Sequence, residues 1–343
     1  MIELALYLVG LSAAAFMAFN IGANDAANPV DTAVGAGALT LRKALTLFSV
    51  FTIVGALIQG SFVIKTIGRG IVPEIDTTAA LTAVVASGTW IFIATLMGLP
   101  ISTSQSISGA VIGIGIAYSM LGVMRIEDIN WGVISRIMLS WIMSPTLAMS
   151  LAILLYTFFV RLERSLRGRY DVDRIFLYLH IASLAFAAYA FGANDVANAT
   201  GVYLTITQKY LGMPDHETMM FLALLGGLFI AIGGFTLGER VIRTTAFKIT
   251  KLDHPSGVAA GFSLALIVWL FTTIPYILWG FGMPISTTHT SVSSIMGVGI
   301  AKVRSLRGLN LKVTAYIITS WLLTVPIAMI MAIGLYMMVR LLL

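Results

Sequence analysis

Two carboxylates stand in apolar surroundings in this chain, and each has amide side chains beside it. Residues 22–28 read Gly-Ala-Asn-Asp-Ala-Ala-Asn, and residues 192–198 read Gly-Ala-Asn-Asp-Val-Ala-Asn. An Asp at the centre of a bilayer costs about 2.5–3.5 kcal/mol, so a repeated pair indicates function. Carboxylate and amide oxygens, with carbonyls freed by a broken helix, suit a small hard cation such as sodium. The candidate cation ligands are Asn24, Asp25, Asn28, Asn194, Asp195 and Asn198.

Two clusters of hydroxyl side chains, each just after a proline, could bind an anion. Pro100 and Pro284 end apolar runs, and a Ser/Thr-rich helix start follows each. Helix N-termini with such residues offer free backbone N–H groups and neutral donors, which favour a tetrahedral oxyanion. The candidate anion ligands are Ser102, Thr103, Ser104, Gln105, Ser106, Ser286, Thr287, Thr288, His289 and Thr290. The alternative is that these hydroxyls bond to carbonyls of their own helices in a packed bundle.

No Lys or Arg accompanies the hydroxyl clusters at their depth in the apolar sequence. Bound cations would therefore have to balance much of an anion's charge. The two sets of candidate ligands thus predict coupled binding of a cation and an anion, which is what symport requires.

The composition is that of an integral membrane protein. Of the 343 residues 58% are hydrophobic and 10% are charged, and the mean hydropathy is +0.95. A soluble domain averages about 25% charged residues. The net charge of +6 does not indicate a nucleic-acid partner, because membrane proteins collect Lys and Arg in cytoplasmic loops. Cysteine is absent, which excludes disulfides and thiol chemistry.

The chain is an internal duplication. The Asn-Asp stretches, the Pro-Ile-Ser-Thr stretches and the pairs Ser140-Trp141 and Ser320-Trp321 recur in the same order. Apolar segments number about five per half, and the strongly charged stretch 161–174 separates the halves. We therefore predict a first repeat at 1–160, a linker at 161–174 and a second repeat at 175–343.

Basic residues predict how these repeats lie in the membrane. With a cytoplasmic linker and five crossings per half, fifteen basic side chains lie inside and five outside, namely Lys65, Arg69, Arg125, Lys209 and Arg340. Five is odd, so the repeats are inverted and both termini lie outside. The predicted fold is all-α, with about 10–12 transmembrane segments. Helix breaks are expected at Gly22 with Pro29 and at Gly192, and the site is expected near the midplane.

For two further polar residues the sequence leaves two interpretations open. Asp31 is either a part of the site or a plain acidic residue in the first turn of a helix. His289 is either a neutral buried donor or a titrating group.

These motifs resemble those of the inorganic phosphate transporter (PiT) family, over about residues 10–340. The resemblance implies symport of inorganic phosphate with sodium or protons through an inverted-repeat core, often as a homodimer. The chain departs from the usual pattern at Ala26 and Pro29, and again at Ser104 and Gln105, where Thr and His are common. Gln105 cannot titrate, so His289 has no symmetric counterpart.

Sodium-coupled phosphate import across the plasma membrane is the favoured function, with no cofactor besides transported sodium. A proton-coupled phosphate permease or a sulfate permease is the alternative. A membrane-embedded polyprenyl-diphosphate phosphatase is a remote third reading, with His289 or Ser286 as nucleophile. That chemistry requires a cationic clamp and acids for a metal, which the sequence lacks near the clusters, so an enzyme is not expected.

Overall fold

The computed structural model describes residues 2–63, 71–72, 75–211 and 216–342, without the side chains of 2–7 and 202–216. Lys65 and Arg69, used above for orientation, lie outside the described residues, as does the side chain of Lys209. The described residues are helical with no strand, which confirms the all-α prediction.

Twelve α-helices make up the described part of the chain. Those of the first half are α1 (Ile2–Asp25), α2 (Ala27–Gly35), α3 (Leu41–Gln59), α4 (Thr77–Leu96), α5 (Thr103–Met120) and α6 (Trp131–Leu166). Those of the second half are α7 (Val172–Leu211), α8 (His216–Leu237), α9 (Glu239–Lys248), α10 (His254–Trp279), α11 (Thr287–Val303) and α12 (Leu311–Leu342).

Seven of the described helices are long and apolar enough to cross a membrane: α3, α4, α6, α7, α8, α10 and α12. The predicted 10–12 segments also included shorter or less apolar ones, such as α5 and α11. Seven such candidate spans among the described residues support an integral, multi-pass membrane protein. The inverted orientation of the two halves stays a prediction.

The first Asn-Asp stretch interrupts its helix, although not at Gly22. Helix α1 passes through Gly22 and ends at Asp25, Ala26 forms a turn, and α2 begins at Ala27. Pro29 lies in the first turn of α2, where its missing N–H leaves the carbonyl of Asp25 without its usual i+4 donor.

The predicted break at Gly192 is wrong, because α7 runs without interruption from Val172 to Leu211. Position 199 is Ala where the first copy has Pro29, so the backbone N–H is present and the helix continues. The amide of Asn194 bonds to other segments rather than to its own helix, so it does not compete with the helical hydrogen bonds.

The linker is shorter than the charged stretch that predicted it. Helix α6 extends to Leu166 and α7 begins at Val172, which leaves only residues 167–171 between them. Charged side chains of the stretch therefore lie on the ends of these two helices.

Corresponding aspartates cap the helices that precede the two hydroxyl clusters. Asp76 caps α4 by accepting from the N–H of Ala79 at 2.8 Å, and Asp253 caps α10 by accepting from the N–H of Ser256 at 3.1 Å. Partial burial acts to raise the pKa of Asp253, but hydrogen bonds from Lys302 and Ser256 outweigh it and hold that pKa below its usual value.

Glycines let the helices that carry the twin stretches approach their neighbours closely. A Cβ at Gly22 of α1 would lie 1.8 Å from the carbonyl oxygen of Ile230 in α8. A Cβ at Gly192 of α7 would lie 2.0 Å from the carbonyl oxygen of Thr52 in α3. The two halves therefore pack against each other in the same way, and each Asn-Asp stretch is held at a helix crossing.

The long helices α6 and α12 reach across to the opposite half. Trp321 Nε1 of α12 donates to the carbonyl of Pro100 at 3.0 Å, beside the first hydroxyl cluster. Ser140 Oγ of α6 donates to the carbonyl of Pro284 at 3.2 Å, beside the second. Each hydroxyl cluster is thus positioned by a helix of the other half.

Candidate functional site

Asn24 and Asn194 fasten the non-helical segments that carry the prolines. Asn24 Nδ2 donates to Thr95 Oγ1 and to the Leu99 carbonyl, both at 3.0 Å, and its Oδ1 accepts from the Ile101 N–H at 3.1 Å. Asn194 repeats the pattern at 2.8 Å to Thr272 Oγ1, 3.1 Å to the Met283 carbonyl and 3.3 Å from the Ile285 N–H. Both amides, predicted as cation ligands, use their nitrogen and their oxygen to hold the segments that carry the prolines.

We expect Asn24→Asp to lower the melting temperature, since a lost buried hydrogen bond costs about 1–3 kcal/mol. A carboxylate keeps the acceptor for Ile101 but loses both donated bonds, and it places a charge against the Leu99 carbonyl. Thermal unfolding of the purified protein measures the effect. Asn24→Asp with an unchanged melting temperature would show that the amide does not hold this segment.

Asp25 and Asp195 lie together at the centre of the molecule, and both are fully buried. Thr103 Oγ1 donates to Asp25 Oδ2 at 2.7 Å and lies 3.5 Å from Asp195 Oδ1, so one hydroxyl contacts both carboxylates. From the second cluster, Thr287 Oγ1 donates to Asp195 Oδ1 at 3.3 Å and Thr288 Oγ1 to Asp25 Oδ1 at 3.0 Å. Within the described part of the chain no basic side chain forms an ion pair with either carboxylate.

Asn28 and Asn198 join each Asn-Asp stretch to the hydroxyl cluster of the other half. Asn28 Nδ2 lies 3.2 Å from both Thr287 Oγ1 and Thr288 Oγ1. Asn198 Nδ2 lies 3.1 Å from Ser104 Oγ, 3.4 Å from Thr103 Oγ1 and 3.1 Å from Asp195 Oδ1. Candidate cation ligands and candidate anion ligands therefore meet in one central cluster rather than in two separate sites.

Two acceptor atoms of this cluster are buried without a hydrogen-bond donor: Asp195 Oδ2 and Asn28 Oδ1. An unsatisfied buried polar group costs about 1–3 kcal/mol, and more when it is charged. Oxygen atoms of carboxylates, amides and hydroxyls are the ligands that hard cations prefer. The cluster is thus short of positive charge, and its chemistry fits a small hard cation.

The other predicted anion ligands point elsewhere. Ser102 and Ser286 are the N-caps of α5 and α11, accepting from the N–H groups of Gln105 and His289 at 3.2 and 3.1 Å. Ser106 and Thr290 donate to the carbonyl four residues earlier in their own helices. The His289 ring lies against the Trp321 ring at an interplanar angle of 31°, with centroids 4.0 Å apart. Four of the ten, Thr103, Ser104, Thr287 and Thr288, reach the central cluster.

Asp31 lies next to this cluster, although the sequence left its role open. It is fully buried; Ser291 Oγ donates to its Oδ2 at 3.2 Å and also lies 3.2 Å from the Asn28 carbonyl. Its Oδ1 has no donor. The signal in the sequence was the spacing: Asp31 is three residues after Asn28, and residues three apart share one face of a helix. The position equivalent to Asp31 in the second half is Gly201, so this carboxylate has no symmetric counterpart.

Comparison with known proteins places these features in a family. The sequence profile of the phosphate transporter family matches residues 21–171 and again 161–332. A protein of Pyrococcus horikoshii named "Putative phosphate permease" is 33% identical, and the alignment covers 92% of this chain and 93% of the relative. A relative of the same name in Chlamydia trachomatis is 30% identical over 95% of this chain and 96% of its own length.

A solved structure has the same fold. It is called "The sodium-dependent phosphate transporter", with a TM-score of 0.85 and 30% identity, and the match covers 99% of this chain and 100% of the other. These relatives carry the names of transporters and permeases and not of enzymes, so the phosphatase reading is set aside. With a duplicated Asn-Asp cluster at its centre and a family match over nearly its whole length, the chain belongs to the phosphate transporter family.

Proposed function

We propose that this protein imports inorganic phosphate across the plasma membrane by symport with sodium. The family supports phosphate as the substrate, and the similar solved structure is named as sodium-dependent. The observation that carries the proposal is the pair of fully buried carboxylates, Asp25 and Asp195, which have no basic partner in the described residues. Two buried charges in a low-dielectric region require counter-ions, and sodium supplies them.

The same geometry gives cation binding a role in anion binding. Thr103 donates its hydroxyl hydrogen to Asp25, and Thr288 shares its own between Asp25 and the Ile101 carbonyl, each at 3.0 Å. A sodium ion on Asp25 would replace those hydrogens as the partner of the carboxylate, and the hydroxyls would then turn to an oxyanion. The N-termini of α5 and α11 add backbone N–H groups at the same place. Sodium therefore binds first, and phosphate follows.

The test is uptake of radiolabelled phosphate into proteoliposomes under imposed gradients. An inward sodium gradient at equal pH should accelerate uptake, and an inward proton gradient without sodium should not. Uptake driven by the proton gradient alone would show that protons, and not sodium, are the coupling ion. Unlabelled sulfate at tenfold excess should compete weakly, since phosphate retains protons at neutral pH that sulfate lacks; full competition would make the protein a general oxyanion permease.

The predicted topology is part of the proposal: a cytoplasmic linker, inverted repeats and both termini outside. The chain contains no cysteine, so single cysteines can be introduced without background. A cysteine at Arg169 or at Arg307 should react with an impermeant thiol reagent only from the cytoplasmic side, and one at Arg125 only from outside. Arg125 and Arg307 lie in equivalent loops of the two halves, so access to both from the same side would contradict the inverted arrangement. The homodimer remains a proposal, which cross-linking in the membrane tests.

For Asp31→Asn we expect the sodium concentration that gives half-maximal uptake to rise about tenfold, with the maximal rate less affected. The change removes a buried negative charge that lies beyond Asn28. A sodium ion at the cation site would lose the attraction of that charge and would bind less tightly. Sodium titrations of phosphate uptake measure the effect, and Asp173→Asn at an exposed helix end is the control. An unchanged sodium dependence would make Asp31 a residue of structural importance only.

A further inference from the structure

A groove of about 360 Å³ lies between α6 and α10, and its walls are almost entirely apolar. The walls include Leu139 and Met143 of α6 and Leu270 and Ile274 of α10, whose side chains are between 38% and 54% exposed. Both helices have the length and apolarity of membrane spans, so the molecules that reach this groove are those of the bilayer. None of the predicted functions uses it.

One cation lines the groove, the exposed side chain of Arg136 on α6. Its Nε donates to the Gly132 carbonyl at 3.2 Å, which directs the side chain toward the start of α6. Among the described residues no acid forms an ion pair with Arg136, and its two terminal nitrogens donate no hydrogen bond. A guanidinium binds a phosphate group through two parallel hydrogen bonds, so these nitrogens are free to hold one.

Two tryptophans mark the level of the membrane surface at this end of the groove. Trp131 is the first residue of α6 and Trp279 the last residue of α10, and their side chains are 48% and 63% exposed. Exposed Trp at the ends of membrane helices is typical of the headgroup level. Arg136 lies about 7.5 Å further along α6, and its side chain points back toward Trp131. The groove therefore has its charge at the depth of lipid phosphates and its apolar walls at the depth of acyl chains.

We propose that this groove binds an anionic phospholipid, with the phosphate on Arg136 and part of an acyl chain along Leu139 and Ile274. An apolar cavity of about 150 Å³ holds a benzene ring, so the groove has room for a stretch of hydrocarbon chain. A zwitterionic lipid carries its own positive group, which competes with Arg136 for the phosphate, whereas phosphatidylglycerol carries none. Inorganic phosphate could reach the guanidinium but would leave the apolar walls uncovered.

A lipid in this groove would contact the segment that precedes the second hydroxyl cluster. Met283 lines the groove; its N–H donates to the Phe271 carbonyl and its carbonyl accepts from Asn194 Nδ2, both at 3.1 Å. Ser140, also in the wall, donates to the Pro284 carbonyl at 3.2 Å. Saturating phosphatidylglycerol should therefore raise the melting temperature of the purified protein, by about 5 °C.

The test of binding uses phosphatidylglycerol with a photoactivatable diazirine in its acyl chain, added to the unaltered protein in mild detergent. Mass spectrometry should find cross-links in the groove at least about fivefold above those at Leu322 of α12, which is 73% exposed and gives the background. Unlabelled phosphatidylglycerol should compete at least about fivefold better than phosphatidylcholine with the same acyl chains, and millimolar inorganic phosphate should not compete. Cross-linking at the background level, as expected if a second copy of the chain covers the groove, would overturn the proposal. So would equal competition by the two lipids.

Variants separate this site from general contact with lipid. Arg136→Gln should remove the preference for phosphatidylglycerol over phosphatidylcholine, together with the rise in melting temperature. Arg125→Gln is the matched control, because Arg125 is an exposed arginine in the loop before α6 that pairs with Asp128 and does not line the groove. Ile274→Trp narrows the apolar part and should lower cross-linking by either lipid. A preference retained in Arg136→Gln, or lost equally in Arg125→Gln, would refute the site, and none of these measurements depends on phosphate transport.

Discussion

Asp25→Asn and Asp195→Asn should each lower sodium-stimulated phosphate uptake at least about 100-fold, which corresponds to about 2.7 kcal/mol. Each amide keeps the size of the side chain but removes one of two buried charges that attract the cation. An amide nitrogen would also face the hydroxyls of Thr103 or Thr287, which now donate to the carboxylates. The protein should still fold, because neutralising an uncompensated buried charge removes a desolvation cost.

The measurement is initial uptake of radiolabelled phosphate at matched protein incorporation, together with sodium-dependent thermal stabilisation of the purified variants. Glu239→Gln is the control: Glu239 is an exposed acid on α9 that pairs with Arg243, so uptake should stay within about twofold. Uptake at the normal rate in either Asp variant would remove that carboxylate from the transport cycle. Loss of uptake with sodium stabilisation intact would place the residue in a step after sodium binding.

Gly22→Ala should have the largest effect on folding. The added Cβ would lie 1.8 Å from the carbonyl oxygen of Ile230 and 2.7 Å from its Cα, and both are backbone atoms that cannot rotate away. Helices α1 and α8 would have to separate, at a cost above the 1–3 kcal/mol that is typical of overpacking by about one methyl group. We expect little folded protein, measured as the monodisperse fraction after solubilisation in mild detergent.

Gly334→Ala is the matched control, since it also changes a glycine in a long helix. Nothing lies within 4 Å of the Cβ that it adds, so the helix should gain about 0.5–1 kcal/mol through reduced flexibility of the unfolded chain. If Gly22→Ala folded as well as Gly334→Ala, the close crossing of α1 and α8 would not be required for the fold.

The sequence predicted the central residues well because the duplication revealed them. Asp25 and Asp195 stood out as acids in apolar surroundings, and the structure buries them side by side. The helix starts after Pro100 and Pro284 were also predicted, since Pro-Ile-Ser-Thr is a local signal for a helix start; their N-caps are Ser102 and Ser286, which were predicted as anion ligands. Which ligands bind there stays a prediction.

The structural features that the sequence did not predict depend on contacts between distant segments. It placed a break at Gly192 by analogy with Gly22, but the helix is continuous there, because Ala199 replaces Pro29 and the backbone N–H is present. The sequence predicted cation ligands and anion ligands as two separate groups. In the structure Asn28 and Asn198 contact hydroxyls of the opposite half. The burial of Asp31 follows from its contact with Ser291, which is 260 residues away in the chain.

The contacts between the two halves also determine the order in which the protein folds during synthesis. Helix α5 packs against α12, and the indole of Trp321 completes the segment at Pro100. Helix α12 is synthesised after α5, so the serines and glutamine at the start of α5 are made before the helix that covers them. The first half therefore completes its packing only after α12 has been inserted.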